Sequence, residues 1–331
     1  MTHLPRRATR PVRAGRVTIG GDAPVSIQSM TNADPHDREA VLRQVRALTA
    51  AGCEIVRLAV PDPEAADVFS YLKENDVGVP LVADIHFDYR LALRAVSAGA
   101  DKIRINPGNI GSADHVREVV RACRSAGVPI RVGVNSGSLE RDLLAKHGAP
   151  TPAALAESAM RHVALLERFD FDDIVLSVKS SSVPTMIETN RLLSRQTDHP
   201  LHLGVTEAGA AFAGVVKGAV GIGALLSEGI GDTIRVSLTG DPVEEVRAAR
   251  AILSALSLGA PGMDIVACPT CGRTRIDLPA LVREFERRAA EEGLTHLPLK
   301  VALMGCAVNG PGEAREADIG IAGGVDEALL F

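Results

Sequence analysis

Polar side chains stand where the strands of an α/β chain should be apolar. Arg104 and Asn106 lie two apart in K-I-R-I-N, Arg131 and Asn135 fall in R-V-G-V-N, Ser177 and Lys179 close L-S-V-K, and Arg235 and Ser237 frame R-V-S. Arg57 sits in I-V-R-L-A, Asp84 and His86 in D-I-H, Thr206 and Glu207 in V-T-E. Residues two apart on a strand share a face, so five cations, Arg57, Arg104, Arg131, Lys179 and Arg235, collect at one level against roughly two carboxylates. Unmatched, such desolvated like charges cost several kcal/mol each. A polyanion removes the imbalance, and Arg forks suit phosphate oxygens. Taken singly, each cation reads as a solvated strand end or the partner of a helix carboxylate; repetition on successive strands favours a phosphate or diphosphate site. Glu207, beside the cations, suits proton transfer, with an Arg ion pair as the competing reading. His86 and Asp84 fit a structural pair and a catalytic one equally.

A second constellation is Cys268-Pro-Thr-Cys271, followed by Cys306 in G-C-A-V-N-G-P-G-E. Three thiols are too few for a closed structural zinc site, which takes four ligands, and His296 lies in a loop without ligand spacing. An iron–sulfur cluster accepts three cysteines with a different fourth ligand, for which Glu313 is the candidate. Zinc knuckles share the C-x-x-C spacing, so zinc stays open on spacing alone. Cys53 and Cys123 read as small buried hydrophobes.

The elements that must position these groups alternate. Short β-branched runs at Val25–Ser29, Ile55–Ala59, Leu81–Asp84, Lys102–Asn106, Ile130–Val134, Asp173–Val178, Leu201–Thr206 and Thr233–Ser237 predict eight strands. Amphipathic stretches, among them Arg38–Ala51, Pro63–Glu74, Ala113–Ala126, Pro152–Glu167, Val183–Ser194 and Pro242–Leu258, predict the helices between. Eight such units make a (β/α)8 TIM barrel, whose active sites lie at the C-terminal strand ends. Val17–Ile19, with Gly20, Gly21 and Asp22 as its turn, reads as a hairpin capping the bottom. After Leu258 the rhythm changes: a strand at Asp264–Ala267, a charged helix at Leu278–Glu292 and a strand at Lys300–Met304 predict a small α+β domain. The division expected is 1–258 and 259–331.

Composition bounds the rest. The chain has 331 residues, long enough for two domains, with aromatics at 3% and no Trp, so the core is built from Ala, Val, Ile and Leu. A net charge of -5 carries no general footprint for nucleic acid or an anionic membrane. No run approaches the roughly 20 apolar residues of a membrane helix. The Arg-rich start, Arg6 to Arg16, reads as a solvated basic arm rather than a signal peptide, and the sparse, unpaired cysteines suggest a reducing cytoplasm.

Several long motifs carry a resemblance: Q-S-M-T-N at 28–32, A-D-I-H-F-D at 83–88, K-I-R-I-N-P-G-N at 102–109, R-V-G-V-N-S-G-S at 131–138, G-V-T-E-A-G at 204–209, C-P-T-C-G-R at 268–273 and G-C-A-V-N-G-P-G-E-A at 305–314. Along nearly its whole length the chain resembles the 4-hydroxy-3-methylbut-2-enyl diphosphate synthase family. That resemblance implies a TIM barrel followed by a small α+β cluster domain of ferredoxin/sulfite-reductase-like type. The implied reaction is reductive ring opening and dehydration of 2-C-methyl-D-erythritol 2,4-cyclodiphosphate, an isoprenoid precursor of the non-mevalonate pathway. It also implies a [4Fe-4S] cluster on Cys268, Cys271, Cys306 and Glu313, with electrons from flavodoxin or ferredoxin. Substrate positions fall on Arg57, Arg104, Asn106, Arg131, Asn135, Lys179, Thr206, Arg235 and Ser237, and the catalytic acid on Glu207. In relatives a further strand and helix follow the Ala-Gly-Gly turn at 322–324, where this chain stops at Phe331.

Geometry adds an expectation about assembly. The eighth barrel helix runs about 25 Å back from the mouth, and the connector Gly259–Met263 reaches at most about 18 Å. A head-to-tail homodimer, each cluster domain over its partner's barrel, brings metal and mouth together. Two rival readings stand beside this one. The first is a pterin- or phosphate-binding TIM-barrel transferase with a structural zinc; the second is a non-enzymatic module using C-P-T-C-G for contact, disfavoured because no basic or aromatic stripe accompanies the cysteines.

Overall fold

The computed structural model describes every residue other than 1–4, 210, 260–261, 307, 309 and 325–327, and all but the side chains of Ser138 and Ala211. The chain opens with a two-stranded hairpin, β1 (Val12–Ala14) against β2 (Val17–Ile19). Its turn is Gly15-Arg16, with Gly15 at φ +53°, rather than the Gly20-Gly21-Asp22 expected from sequence. A two-residue connection needs positive φ, which glycine supplies at least cost. Val12, Ala14 and Ile19 then pack on Ile55, Val82 and Val175.

The strand and helix units follow in order: β3 (Ser26–Met30), α1 (Arg38–Ala50), β4 (Ile55–Ala59), α2 (Pro63–Glu74), β5 (Leu81–Asp84), α3 (Tyr89–Ser97), β6 (Lys102–Ile105), α4 (Ala113–Ala126) and β7 (Ile130–Asn135). After them come α5 (Arg141–His147), α6 (Pro152–Glu167), β8 (Ile174–Lys179), α7 (Val183–Gln196), β9 (His202–Leu203), α8 (Ala211–Ser227), β10 (Thr233–Ile234) and α9 (Pro242–Ala255). Eight strands pair in the order β8-β7-β6-β5-β4-β3-β10-β9, all parallel. A parallel bridge from Leu176 to Leu201 joins the two ends of the row. This is the expected (β/α)8 barrel. Helix starts are set by side-chain caps followed by proline, as at Asp62-Pro63, Thr151-Pro152 and Asp241-Pro242, which stop each helix from invading the loop above its strand.

Three further expectations are corrected. The last two barrel strands keep only two residues each; beyond them the backbone stays in place through bonds such as Arg235 N–H to Leu203 O at 3.0 Å. An unexpected helix, α5, follows the loop after β7. The Arg-rich start is no solvated arm: Arg6 donates to Asp232 at 3.1 Å, Arg7 to the His199 carbonyl at 2.7 Å, and Arg10 to Asp198 at 2.7 Å.

The first compact unit ends at Leu256 and the second begins at Ser257; the expected connector 259–263 lies partly outside the described residues. The second unit contains β11 (Asp264–Ala267), α10 (Leu278–Glu291), β12 (Lys300–Met304), α11 (Gly310–Arg315), β13 (Ile319–Gly323) and β14 (Ala328–Leu330). Its sheet runs β11-β12-β13-β14, the first three parallel and β14 antiparallel to β13. A short strand, β14, thus follows the Ala-Gly-Gly turn, where the sequence predicts that the chain stops without one. Leu278, Val301 and Leu303 form one side of its core, and Ala302, Met304, Ala314 and Ala322 the other.

Candidate functional site

At the C-terminal ends of the barrel strands a cavity of about 110 Å³ is lined by Arg57, Arg104, Arg131, Lys179 and Arg235, together with Asp84, His86, Asn135, Ser177, Thr206 and Ser237. The i, i+2 spacing aims these groups inward: Arg104 pairs across the sheet with Arg131, and Asn135 with Lys179. Two glycines let the cations lie flat on the wall. A Cβ at Gly133 would stand 2.5 Å from Arg104 Nε, and one at Gly204 would stand 3.0 Å from Lys179 Nζ.

The cations are not equally matched. Asp84 takes Arg104 Nη1 at 3.1 Å, His86 Nε2 at 3.4 Å and Arg57 Nε at 3.8 Å. Burial opposes the Asp84 carboxylate, but Arg57, His86, Arg104 and Arg131 win and hold it well below the usual carboxylate range. Glu245, on α9, takes Arg235 Nη2 at 3.1 Å, Ser29 Oγ at 2.8 Å and the Leu238 N–H at 3.0 Å. Arg57 rests on Met30 Sδ, 2.9 Å from Nη2, and burial brings its pKa down to about 10. Arg131 is 1% exposed, and its Nε and Nη1 have no hydrogen-bond partner. Burial and then Arg57 and Arg104 disfavour its charge, yet a guanidinium does not give up its proton in this range. Lys179, buried and near Arg235 and Arg131, is likewise pushed well down. The mouth thus carries an excess of positive charge over the carboxylates that face it.

All five expected cations, and Asn135, Thr206 and Ser237, meet at this cavity. Asn106 is buried just past the end of β6, where its Oδ1 accepts the Gly108 N–H at 3.1 Å. Glu207 is exposed beside Thr206 and is not among the lining residues; its φ of +53° puts a non-glycine residue in the left-handed region. Sequence reasoning missed Glu245, the second carboxylate against the cations. Its signal was the first helical turn after Asp241-Pro242, directly beyond the Arg235 strand.

In the second unit Cys268 and Cys306 follow β11 and β12, whose parallel register pairs Ala267 with Leu303. Cys268 Sγ accepts the Gly305 N–H at 3.3 Å. Cys271 is exposed. Glu313 is exposed in the first turn of α11, which packs on β12 and β13. Among the described residues no three His, Cys, Asp or Glu side chains already stand together as a metal-holding group. Cys53 and Cys123 are buried, and burial pushes both thiols up to about 12.

A parallel barrel with a cationic mouth, in a chain that also carries a small cysteine-bearing α+β unit, defines the class: a two-domain TIM-barrel protein whose mouth suits an anion. The GcpE TIM-barrel domain matches residues 9–250 and the GcpE protein C-terminal domain matches 264–331. The chain belongs to the GcpE family. It is 57% identical over 330 residues to the 4-hydroxy-3-methylbut-2-en-1-yl diphosphate synthase (flavodoxin) of Symbiobacterium thermophilum, covering 99% of this chain and 88% of that one. Against the protein of the same name from Clostridium perfringens identity is 56%, over 98% of this chain and 92% of that one. Among solved structures, type I 3-dehydroquinate dehydratase from Clostridium difficile matches 75% of this chain and 98% of its own with TM-score 0.54 at 13% identity. Dihydropteroate synthase from Xanthomonas albilineans covers the same shares with TM-score 0.53 and 13% identity. These two share the barrel fold alone. Among the described residues no helix is long and apolar enough to cross a membrane.

Proposed function

We propose that this chain converts 2-C-methyl-D-erythritol 2,4-cyclodiphosphate to 4-hydroxy-3-methylbut-2-enyl diphosphate, taking electrons from flavodoxin in a reducing cytoplasm. The observation that carries the reading is the convergence of five cations, borne on or just beyond five strands, on one small cavity, opposed among the described residues by Asp84 and Glu245. A cyclic diphosphate has the charge for that mouth. The alternative, a pterin- or phosphate-binding transferase, needs no reductive step and gives the cysteines of the second unit only a structural zinc, for which three thiols fall short of the usual four ligands.

The donor set suits a [4Fe-4S] cluster on Cys268, Cys271, Cys306 and Glu313. Three thiols and a carboxylate are borne by loops and a helix around the C-terminal ends of β11 and β12, and a backbone N–H is aimed at one sulfur, the kind of contact that tunes such clusters. When bound, the cluster supplies the two electrons of the reduction one at a time. Atom balance adds two protons and releases one water. Arg57, Arg104, Arg131, Lys179 and Arg235 hold the diphosphate, and Asn106, Asn135, Thr206 and Ser237 orient it. Glu207 gives the proton that lets the departing hydroxyl leave as water. Its φ of +53° is strained for a non-glycine residue, a strain of the kind that persists at working sites.

A homodimer, each cluster domain serving its partner's barrel, completes the proposal. On α8 the exposed side chains of Phe212, Val216 and Val220 recur every four residues, an apolar stripe suited to a second copy. The test is anaerobic purification followed by iron, sulfide and turnover assays with reduced flavodoxin. About four irons per chain and conversion of the cyclic diphosphate support the reading. One zinc without sulfide, or no turnover by a loaded protein, overturns it.

A further inference from the structure

The inside of the barrel stays polar below the cavity, where layers of apolar side chains are the rule. Lys102 opens β6 two residues before Arg104, so its side chain points into the barrel one layer lower. It is 0% exposed, and its Nζ has no hydrogen-bond partner. The charged and titratable groups that face this interior from the other strands are Arg57, Asp84, Arg131, Lys179, His202 and Arg235. Asp84 is engaged by Arg104 and Arg57, and the groups acting most on Lys102 are Arg131 and Arg57, both cations. His202 is fully buried with both ring nitrogens unpartnered, and burial, then Arg131, disfavour its charged form. An ammonium here has three N–H groups and no acceptor. A free amine offers a lone pair instead, beside a guanidinium whose Nε and Nη1 themselves have none.

We propose that Lys102 is a free amine in the ligand-free barrel and takes up a proton from solvent when a diphosphate docks on the cations one layer above it. Burial and the two guanidiniums push the Lys102 ammonium well below the usual lysine range, and an arriving polyanion reverses the sign of the nearby field. Little solvent screens that field at this depth. Binding then carries a proton uptake, part of which belongs to a residue that does not touch the ligand. The coupling rests on the proposed function only for which diphosphate is the natural one.

Calorimetric titration of the oxidised holoenzyme with the cyclic diphosphate, in buffers of different ionisation heat at one mildly alkaline pH, reads the uptake. Lys179 contributes in both proteins, so wild type minus Lys102→Met isolates Lys102. We expect the variant to bind within about tenfold of wild type while taking up fewer protons, by as much as one per barrel; equal uptake overturns the inference. If the cyclic diphosphate does not bind and inorganic pyrophosphate does, with Lys102-dependent uptake, the function assigned above fails and this inference stands. Urea unfolding across pH supplies a ligand-free arm. The unfolded chain binds the Lys102 proton more readily than the folded one, so wild-type stability rises with pH toward the ordinary lysine value. Lys102→Met lacks that slope, and so does Lys102→Gln as a second variant. The variant's stability relative to wild type is therefore greatest near neutrality and declines as pH rises. Parallel pH curves overturn the inference.

Discussion

Glu245 grips Arg235 from behind, its two oxygens 3.1 and 3.2 Å from Nη2 and Nε, while Ser29 Oγ donates to the same carboxylate at 2.8 Å. The first turn of a peripheral helix thereby fixes the reach of a cation into the barrel mouth. Removing one partner of a buried pair leaves the other charge uncompensated, so Glu245→Ala should cost about 3–5 kcal/mol of stability in urea unfolding. It should also weaken binding of the cyclic diphosphate. A variant as stable as wild type would show that Arg235 does not depend on this carboxylate.

Arg131 points the opposite way. It is buried, cationic and unpartnered at two nitrogens, so Arg131→Met should leave the ligand-free protein as stable as wild type or more so. Loss of a charge-assisted contact should weaken diphosphate binding by about 1.5–3 kcal/mol. Calorimetric affinity and a melting curve on the same sample check both halves; unchanged affinity removes Arg131 from the site.

Glu207 combines an exposed carboxylate with a left-handed backbone. Glu207→Gly should relieve about 1 kcal/mol of strain and abolish turnover. Glu207→Gln should lower kcat far more than it changes substrate affinity. Steady-state kinetics with reduced flavodoxin separates the two, and a glutamine variant with normal kcat ends the proton-transfer role.

Glu140 meets His162 Nε2 at 2.8 Å and Ser158 Oγ at 2.7 Å, behind the loop that carries Gly108. Burial raises its pKa, but the His162 and Ser158 bonds outweigh this and bring it to about 2. A depressed carboxylate stabilises fully above its unfolded value of about 4.3, and that contribution fades as pH falls toward about 2. Glu140→Gln should flatten this part of the acid limb in melting temperature against pH. An unchanged acid limb would mean that the pair contributes nothing.

Mixing inactive Glu207→Gln with inactive Cys306→Ser tests the shared-site dimer. Where subunits exchange, one mouth of the heterodimer joins an intact Glu207 to an intact cluster, and part of the activity returns. Phe212→Asp should shift sedimentation toward monomer. Exchange without recovered activity refutes the shared site.

Much of the site was legible because strand periodicity is rigid: once Arg104 and Asn106, or Ser177 and Lys179, lie two apart, the face they share is fixed. Glu245 was legible only in its place, the first turn of α9 just beyond the Arg235 strand; its pairing with Arg235 depends on how α9 turns back over β10, a tertiary relation that no local spacing records. The two-residue strands β9 and β10 were overestimated for a related reason. Thr206 and Ser237 look like strand residues, yet beyond Leu203 and Ile234 the chain gives up regular pairing where its side chains turn into the cavity. The hairpin turn was misplaced because Gly20-Gly21-Asp22 and Gly15-Arg16 are both good turn formers, and pairing of Val12 with Ile19 decides between them. The basic start looked solvated because its partners, Asp198 and Asp232, lie far along the chain.

The stopper formed by Val12, Ala14 and Ile19 against Ile55, Val82 and Val175 makes the barrel a blind well. Water expelled by an entering ligand has to leave past that ligand, through the opening by which it came. Loading such a well is a traffic problem, and what helps is a high local concentration of anions waiting at the rim. The cations of the mouth gather that queue by long-range attraction, which salt weakens over about 10 Å at 0.1 M. Ionic strength should therefore act on how fast the cyclic diphosphate enters more than on how fast it leaves.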